Sequence, residues 1–437
     1  MTATAPVSVT RDRSARGLGA LATAFLVSQL GEAMVLVALP WFVLQTTGSV
    51  TSMGLVAAIA TVSSAVAGLL AGPATDRLGL KRALVCAYLV GGLSMAAIPL
   101  VYALGSRELW PILVLTAGAS AFDAPAGAAV VGLIGHLARA RNVRLEAANS
   151  LFQGIGHLVF LVGPGIAGIV VAVVGPAWLL ILDAVACVFG AVLVAGGVRG
   201  VPSGRGAGSG DAPASAQPAR TSSWQALRRF GGRYARDLAD GLALIWRDGL
   251  LRALTVTTTV LGALDAAVVG VVLVAYGKDV LGGAAGFGGM VTAYSLGALG
   301  GAALYGAIGH RLSRRRVYLG GGLAIGVVYG LLAMTPPPPV AVFGAIALAG
   351  VAAAPLDAVR SAAVQERVPA SLFGRVIGAR STLSAASAPA AIALLAAVVP
   401  AVGVSTTLAA VAGVYVLMIG LYARSRSLWS LDHPATN

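Results

Sequence analysis

Long apolar stretches recur from one end of this chain to the other, and they leave it few ways to fold. They cover residues 18–44, 52–74, 83–104, 110–134, 146–173, 178–198, 252–275, 286–308, 317–335, 340–362, 374–398 and 405–423. A helix of about 20 apolar residues crosses a hydrocarbon core about 30 Å thick, so each stretch predicts one membrane-spanning helix. Lipid offers backbone amides no partners, which restricts spanning chains to helices and closed barrels. Barrel strands are short and alternate apolar with polar residues, and these stretches do neither. With 58% hydrophobic and 11% charged residues, the 437-residue chain has little left from which to build soluble domains. The expected fold is an all-α membrane protein with twelve transmembrane helices.

An even number of spans puts both termini on one side of the membrane. Charge says which side. With the N-terminus placed in the cytoplasm, all but two of the 30 Lys and Arg residues, Arg107 and Lys278, fall on cytoplasmic connections, adjoining helix ends or tails. That asymmetry predicts cytoplasmic termini in the cell's inner (plasma) membrane. It also accounts for the net charge of +14 without a nucleic-acid partner, because the charge is spread over many short loops. Cys86 and Cys187 both fall inside spans, so neither a disulfide framework nor a zinc site is expected. Arg11, Arg13 and Arg16 precede an apolar run, as in a signal peptide. That run continues to Val43, long for a signal core, and more spans follow, so it reads as the first helix.

The pattern divides into an N-terminal arm (1–17), six spans (18–198), a long connection (199–251), six more spans (252–423) and a tail (424–437). From Arg199 to Ser223 the connection is rich in Gly, Ser, Ala and Pro, the composition of a flexible linker. Over residues 235–248, Leu238, Leu242 and Ile245 share one helical face, which predicts an amphipathic helix lying at the cytoplasmic surface. The two sets of spans echo each other. GPATDRLGLKR starts at Gly72 after the second span, and GAIGHRLSRRR starts at Gly306 after the eighth, 234 residues later. Asp123 and Asp357 are also 234 apart, and Glu32 and Asp265 are 233 apart. Such offsets predict two pseudo-symmetric six-helix bundles, a plan used by transporters.

At these residues the chain resembles the major facilitator superfamily. Gly72, Asp76, Arg77, Gly79, Lys81 and Arg82 match its signature loop between helices 2 and 3, although Leu80 stands where the basic run usually begins. The second copy keeps Gly306, Arg311 and Arg314 to Arg316 but has His310 in place of the Asp. LGEAMVLVALPWFVLQTTGS in the first span, VRLEAANSLFQ leading to VGPGIAG in the fifth, and QERVPASLFGRVIG at 365–378 resemble the drug, macrolide-efflux and enterobactin-exporter branch. Gly163, Pro164 and Gly168 look like that branch's glycine-proline motif in helix 5. The resemblance implies that the signature cluster is a cytoplasmic gate latching the two halves in the outward-facing state. It also implies that the helix 5 motif is a flexible or leak-sealing element. The alternatives are that the charges only hold their loop in the cytoplasm and that the motif is an ordinary kink.

Four acids sit inside spans: Glu32, Asp123, Asp265 and Asp357. An ionised carboxylate at a helix centre costs about 2.5–3.5 kcal/mol on insertion scales, so such groups face the bundle interior. A carboxylate that takes up and releases a proton there is what proton coupling requires. Glu32 leads, because its Gly-Glu pair matches a Gly-Asp pattern in the branch; a structural pair with an arginine or a helix-packing hydrogen bond is its alternative. Asp357 could instead be the salt-bridge partner of Arg360, three residues on. Asp183, near the outer end of the sixth span, reads as an interfacial cap. Asn149, Gln153 and His157 recur every fourth residue and share a face of the fifth span. Gln153 and His157 are cavity candidates, His157 also a proton relay, and Asn149 reads as packing. Trp41, Phe42 and Trp178 lie near predicted interfaces, where aromatic residues anchor helices, and Trp41 could also stack on a substrate.

GGAAGFGG at 282–289 lacks the Lys-Ser/Thr of a phosphate loop and follows no strand, so no nucleotide site is expected. No paired nucleophile and base and no metal-ligand cluster stand out, so neither enzyme activity nor a cofactor is implied. The leading expectation is a monomeric proton-driven exporter of an amphipathic small molecule, working by alternating access in the lipid bilayer. A small molecule and protons would be its partners. An uptake permease is the first alternative, and a non-transporting receptor or scaffold the second.

Overall fold

A computed structural model of the protein describes residues 8–198, 236–334 and 338–424, with Trp429 and Leu431. The linker expected at 199–223, the start of the N-terminal arm and most of the tail lie outside these residues. Among the described residues, 12 helices are long and apolar enough to cross a membrane. In chain order the first half comprises α1 (Ser8–Thr47), α2 (Val50–Leu78), α3 (Leu80–Ala103), α4 (Leu109–Ser120), α5 (Asp123–Ala140), α6 (Leu145–Val174) and α7 (Pro176–Gly197). A short helix, α8, covers 236–247. The second half comprises α9 (Gly249–Ala267), a π-helical turn (Val268–Val272), α10 (Leu273–Asp279), α11 (Ala284–Ile308), α12 (Arg314–Met334), α13 (Pro339–Arg367), α14 (Ala370–Val402) and α15 (Val404–Ala423).

The two halves use the same pairings. In the first, α7 packs on α1 and α3, and α6 packs on α1. In the second, α15 packs on α12, and α14 packs on α9. The link between the last two helices repeats as well: Gly175 (φ 91°) joins α6 to α7, and Gly403 (φ 83°) joins α14 to α15. Only glycine adopts such angles without a steric penalty, so both copies use the same residue type for the same one-residue turn. Small residues set the close approach of α11 and α13. A Cβ on Gly297 or Gly301 would lie within 2.3 Å of a carbonyl oxygen of α13.

Two compact units divide the described residues. One holds residues up to α7 together with Leu273–Thr292, and the other holds α8 to Val272 and residues from Ala293 onward. The core of the first is built by Leu21, Leu84, Leu133, Leu137 and Val194 among others, all essentially without exposure. In the second, Leu254, Tyr318 and Val359 join one cluster, and Ile245, Leu251, Val364 and Val376 another.

Four expectations need correction. The signature segment is not a loop: α2 continues to Leu78 and α3 begins at Leu80, so only Gly79, at φ 80°, lies between them. A helix that leaves lipid before it ends still satisfies its own amides, which explains why the polar residues did not break it. The fourth span is not one regular helix, because α4 and α5 are separated at Ala121 and Phe122. The amphipathic α8 does not lie free for lipid. Ile245 is 2% exposed in a core with Val364 and Val376, and Leu238 and Leu242 pack against that core. Gly241 allows this approach, since a Cβ there would be 2.4 Å from the Arg375 carbonyl oxygen. Asp183 is buried in α7 rather than capping an interface.

Candidate functional site

The second unit contains a cavity of about 310 Å³ lined from α9, α11, α12, α13, α14 and α15. Asp265 lines it from the last turn of α9, just before the π turn. Two tyrosines hold this carboxylate: Tyr329 Oη donates to Asp265 Oδ1 at 3.1 Å, and Tyr415 Oη donates to the same oxygen. The two rings meet edge to face with centroids 5.7 Å apart, which fixes both hydroxyls. Hydrogen bonds to a carboxylate are charge-assisted, and they supply here what water would supply outside. Among the described residues no hydrogen bond is given to the second oxygen, Oδ2.

Asp357 lines the same cavity and pairs with Arg360, as the three-residue spacing on α13 allows. Arg360 also reaches α9, where its Nη1 donates to Thr258 Oγ1 at 3.1 Å. Arg380 of α14 approaches that hydroxyl from another side, with Nη2 at 3.5 Å. Thr258 itself donates to the Leu254 carbonyl at 2.7 Å, which leaves its lone pairs for the guanidinium groups. Asp265 and Asp357, expected separately, are thus brought to one cavity.

The other acids gather in the first unit. Glu32 of α1 is exposed and accepts from Gln29 Nε2 at 2.7 Å, so its partner among the described residues is an amide of its own helix. Asp123 is the first residue of α5, at the break in the fourth span, where a helix N-terminus favours negative charge. Glu32 lies within electrostatic reach of Asp123 and of the buried Asp183. Asp183 packs directly on α1: a Cβ on Gly31 would come 2.3 Å from its Oδ1. Its neighbour Cys187 contacts the same oxygen, Sγ to Oδ1 3.9 Å. Sequence reasoning set Asp183 aside, although the glycine preceding Glu32 was the signal that something approaches α1 closely there.

On α6, Gln153 and His157 are exposed on the face they share with Asn149. The helix runs through Pro164 without a break. Gly163 packs on Ala33 of α1, where an added Cβ would be 2.7 Å from that methyl. The stretch after it meets the start of α11, since a Cβ on Gly288 would be 2.2 Å from the Pro164 carbonyl oxygen and one on Gly168 2.7 Å from that of Ala284. The glycine-proline motif therefore makes a backbone-to-backbone contact that larger side chains would prevent. Trp41 does not offer its ring to a ligand here, because it is 7% exposed and packed inside the bundle.

In the signature segment, Gly79 N–H donates to the Thr75 carbonyl at 2.8 Å, closing the end of α2. Lys81 Nζ donates to the Ala195 carbonyl of α7 at 2.7 Å, and Arg82 is exposed. The surroundings of Gly72 and the side chains of Asp76 and Arg77 lie outside the described residues. In the second copy Arg314 pairs with Glu366 at 2.7 Å, and Arg315 lies over the Trp429 ring at 4.0 Å. Sequence reasoning missed Tyr294, Tyr318 and Tyr415 in the cavity wall, and Tyr329 and Arg380, which bond to the wall residues Asp265 and Thr258. Arginine inside a predicted span was the available signal for Arg380.

Residues 21–263 and 255–428 each match the Major Facilitator Superfamily. The chain is 28% identical over 417 residues to the multidrug efflux pump Tap of Mycolicibacterium fortuitum, spanning 92% of this chain and 93% of that protein. It is 29% identical over 427 residues to the multidrug efflux pump Tap of Mycobacterium bovis (strain BCG / Pasteur 1173P2), spanning 94% and 93%. Among solved structures, the nucleoside transporter NupG superposes with a TM-score of 0.71 at 13% identity, over 93% of this chain and 98% of that one. A POT family transporter in complex with 5-aminolevulinic acid gives 0.69 at 17% identity, over 93% and 95%. With matches across both halves and twelve spanning helices in one repeated arrangement, this chain belongs to the Major Facilitator Superfamily.

Proposed function

We propose that the protein is a proton-driven secondary transporter that exports an amphipathic small molecule by alternating access. Antibiotics, macrolides and siderophore-like metabolites are the substrate classes to test first. The observation that carries the reading is Asp265, an acid held in a cavity by two tyrosine hydroxyls, with Asp357 and Arg360 on the same wall. Uptake and release of one proton at such a group changes which hydrogen bonds it makes, and so biases one conformation over another. Glu32 and Asp123 supply the corresponding groups in the first half, and His157 a relay. The direction of transport is taken from the names of relatives that match over nearly the whole chain. The protein would act as a monomer in the plasma membrane with both termini in the cytoplasm. The cluster at Gly72 to Arg82 would serve as its cytoplasmic gate.

Accumulation of candidate compounds in cells with and without the gene tests this reading. Export requires lower accumulation when the gene is present, and the difference must vanish when the proton gradient is collapsed. Higher, energised accumulation with the gene present would instead establish an uptake permease.

A further inference from the structure

We propose that Asp248 and Arg367 are positioning residues for the C-terminal cavity: their ion pair is the lower of two ties that hold α9 against α13, and it sets where Thr258 and Asp265 stand relative to Asp357 and Arg360. The proposal rests on the transporter reading above for the role of that cavity. Three observations carry it.

First, Asp248 divides its two oxygens between two helices. Oδ1 caps the start of α9, accepting from the Leu250 N–H at 2.8 Å and the Leu251 N–H at 3.0 Å. Oδ2 accepts from Arg367 Nη1 of α13 at 3.2 Å. The Asp248 side chain is 26% exposed and that of Arg367 19%, so solvent and salt screen this pair less than those of α8. Second, another arginine of the same helix makes a second crossing. Arg360 lies seven residues before Arg367 on α13 and donates to Thr258, ten residues beyond Asp248 on α9. At 1.5 Å per residue the two crossings are roughly 10–15 Å apart along the helices. One tie would leave a pivot, whereas two fix both the height and the tilt of α9. Third, the apolar contacts between these helices do not select a height. Leu250 and Leu254 of α9 share a core with Val359 and Ala363 of α13, and Leu251 shares another with Val364 and Val368. Apolar burial is non-directional, so it holds the helices together without setting one register.

The consequence reaches the cavity because Thr258, Asp265, Asp357 and Arg360 all line it. With both ties made, the two acids stand in a fixed relation. With the lower one broken, α9 can swing about the upper one and carry Asp265 with it. Asparagine at 248 keeps an oxygen for the cap and puts an amide, which cannot accept from Arg367, in place of the other. It therefore cuts the tie and leaves the cap.

The test is hydrogen–deuterium exchange with mass spectrometry on purified full-length protein in phosphatidylcholine nanodiscs, with no solute added. Asp248→Asn and Arg367→Gln should each raise exchange over residues 249–272 roughly tenfold, the factor for a lost hydrogen bond to a charged group. Exchange over α12 and α15 should not change. The double variant should exceed neither single one, because both remove the same interaction. Arg367→Lys should keep most of the protection, since the contact uses one donor and a charge. Unchanged exchange over 249–272 in Asp248→Asn overturns the proposal. So does a rise shared equally by α12 and α15, which is a general loss of stability, and so does an additive effect in the double variant. Asp248→Asn keeps shape and cap, and it decides alone should Arg367→Gln fail to fold. The expected pattern in a protein whose wild type moves no solute against a proton gradient would remove the export reading and leave the tie. Gradient-driven transport with unchanged exchange would do the reverse.

Discussion

Asp265 receives both tyrosine hydroxyls on a single oxygen, and that detail separates its two states. Ionised, it is stabilised by two donors; protonated, it keeps those donors on one oxygen and offers a new donor from the other. Asparagine preserves the shape and cannot change charge. Asp265→Asn is therefore expected to bind substrate and to exchange it across proteoliposomes, while gradient-driven transport falls at least about tenfold, the factor that 1.4 kcal/mol represents. Equal rates of driven transport in variant and wild type would remove Asp265 from the coupling step. The contact between Gly31 and Asp183 makes a second residue-level case. A methyl on Gly31 would sit 2.3 Å from Asp183 Oδ1 and 3.3 Å from its Cα, so the backbone as well as the side chain must give way. Overpacking of this kind costs roughly 1–3 kcal/mol. Gly31→Ala should lower the melting temperature of the purified protein, and adding Asp183→Ala should recover part of the loss. No recovery would mean that the clash lies with the backbone alone.

At the scale of elements, each half departs from regular helix beside one of its acids. The break at Ala121 and Phe122 precedes Asp123, and the π turn at Val268–Val272 begins three residues after Asp265. Such irregularities cluster at functional positions because they redirect side chains and leave backbone groups for ligands. The sequence did not disclose them, since a hydropathy window averages over a local break. It did disclose the twelve spans and the repeat, because apolar length and the recurrence of Gly72 and Gly306, or Asp123 and Asp357, are visible without knowing what touches what. The cavity needed contacts between residues far apart in the chain. Thr258 and Arg360 are 102 residues apart, and Asp265 and Tyr415 are 150 apart. For α8 the apolar face was legible but its covering was not. Two forces hold it there, and their magnitudes differ. Arg375 pairs with Asp237 at 3.0 Å and Asp240 at 2.8 Å, but these groups are 41–55% exposed, and such pairs contribute about 0.2–1 kcal/mol. Ile245 is buried, and truncation of such a residue to alanine costs about 2–5 kcal/mol. Hydrogen exchange over 236–247 should therefore rise sharply in Ile245→Ala and only slightly in Arg375→Ala. The opposite order would make the ion pairs the principal attachment.

At the scale of the molecule, the repeated halves carry different acidic chemistry. In the first, Glu32 is near Asp123 and Asp183, three carboxylates with no arginine bonded to Glu32 among the described residues. In the second, Asp265 is near Asp357, which Arg360 neutralises. An exporter built this way must return protons to the cytoplasm as solute leaves, and the direction of the gradient then decides the direction of net flux. Inside-out vesicles expose the cytoplasmic face, so export appears as uptake into the vesicle. Acidifying the vesicle interior should drive substrate in, and reversing the pH difference should drive it out. Nigericin, which exchanges protons for potassium and so abolishes the pH difference, should stop both fluxes. Valinomycin with potassium alters only the electrical potential, and any response to it measures the net charge moved per cycle. A symport permease would show the opposite sign, with substrate leaving the acidified vesicles together with protons. Flux that ignores the pH difference in both orientations would disconnect the embedded acids from transport and with them the proton-driven mechanism.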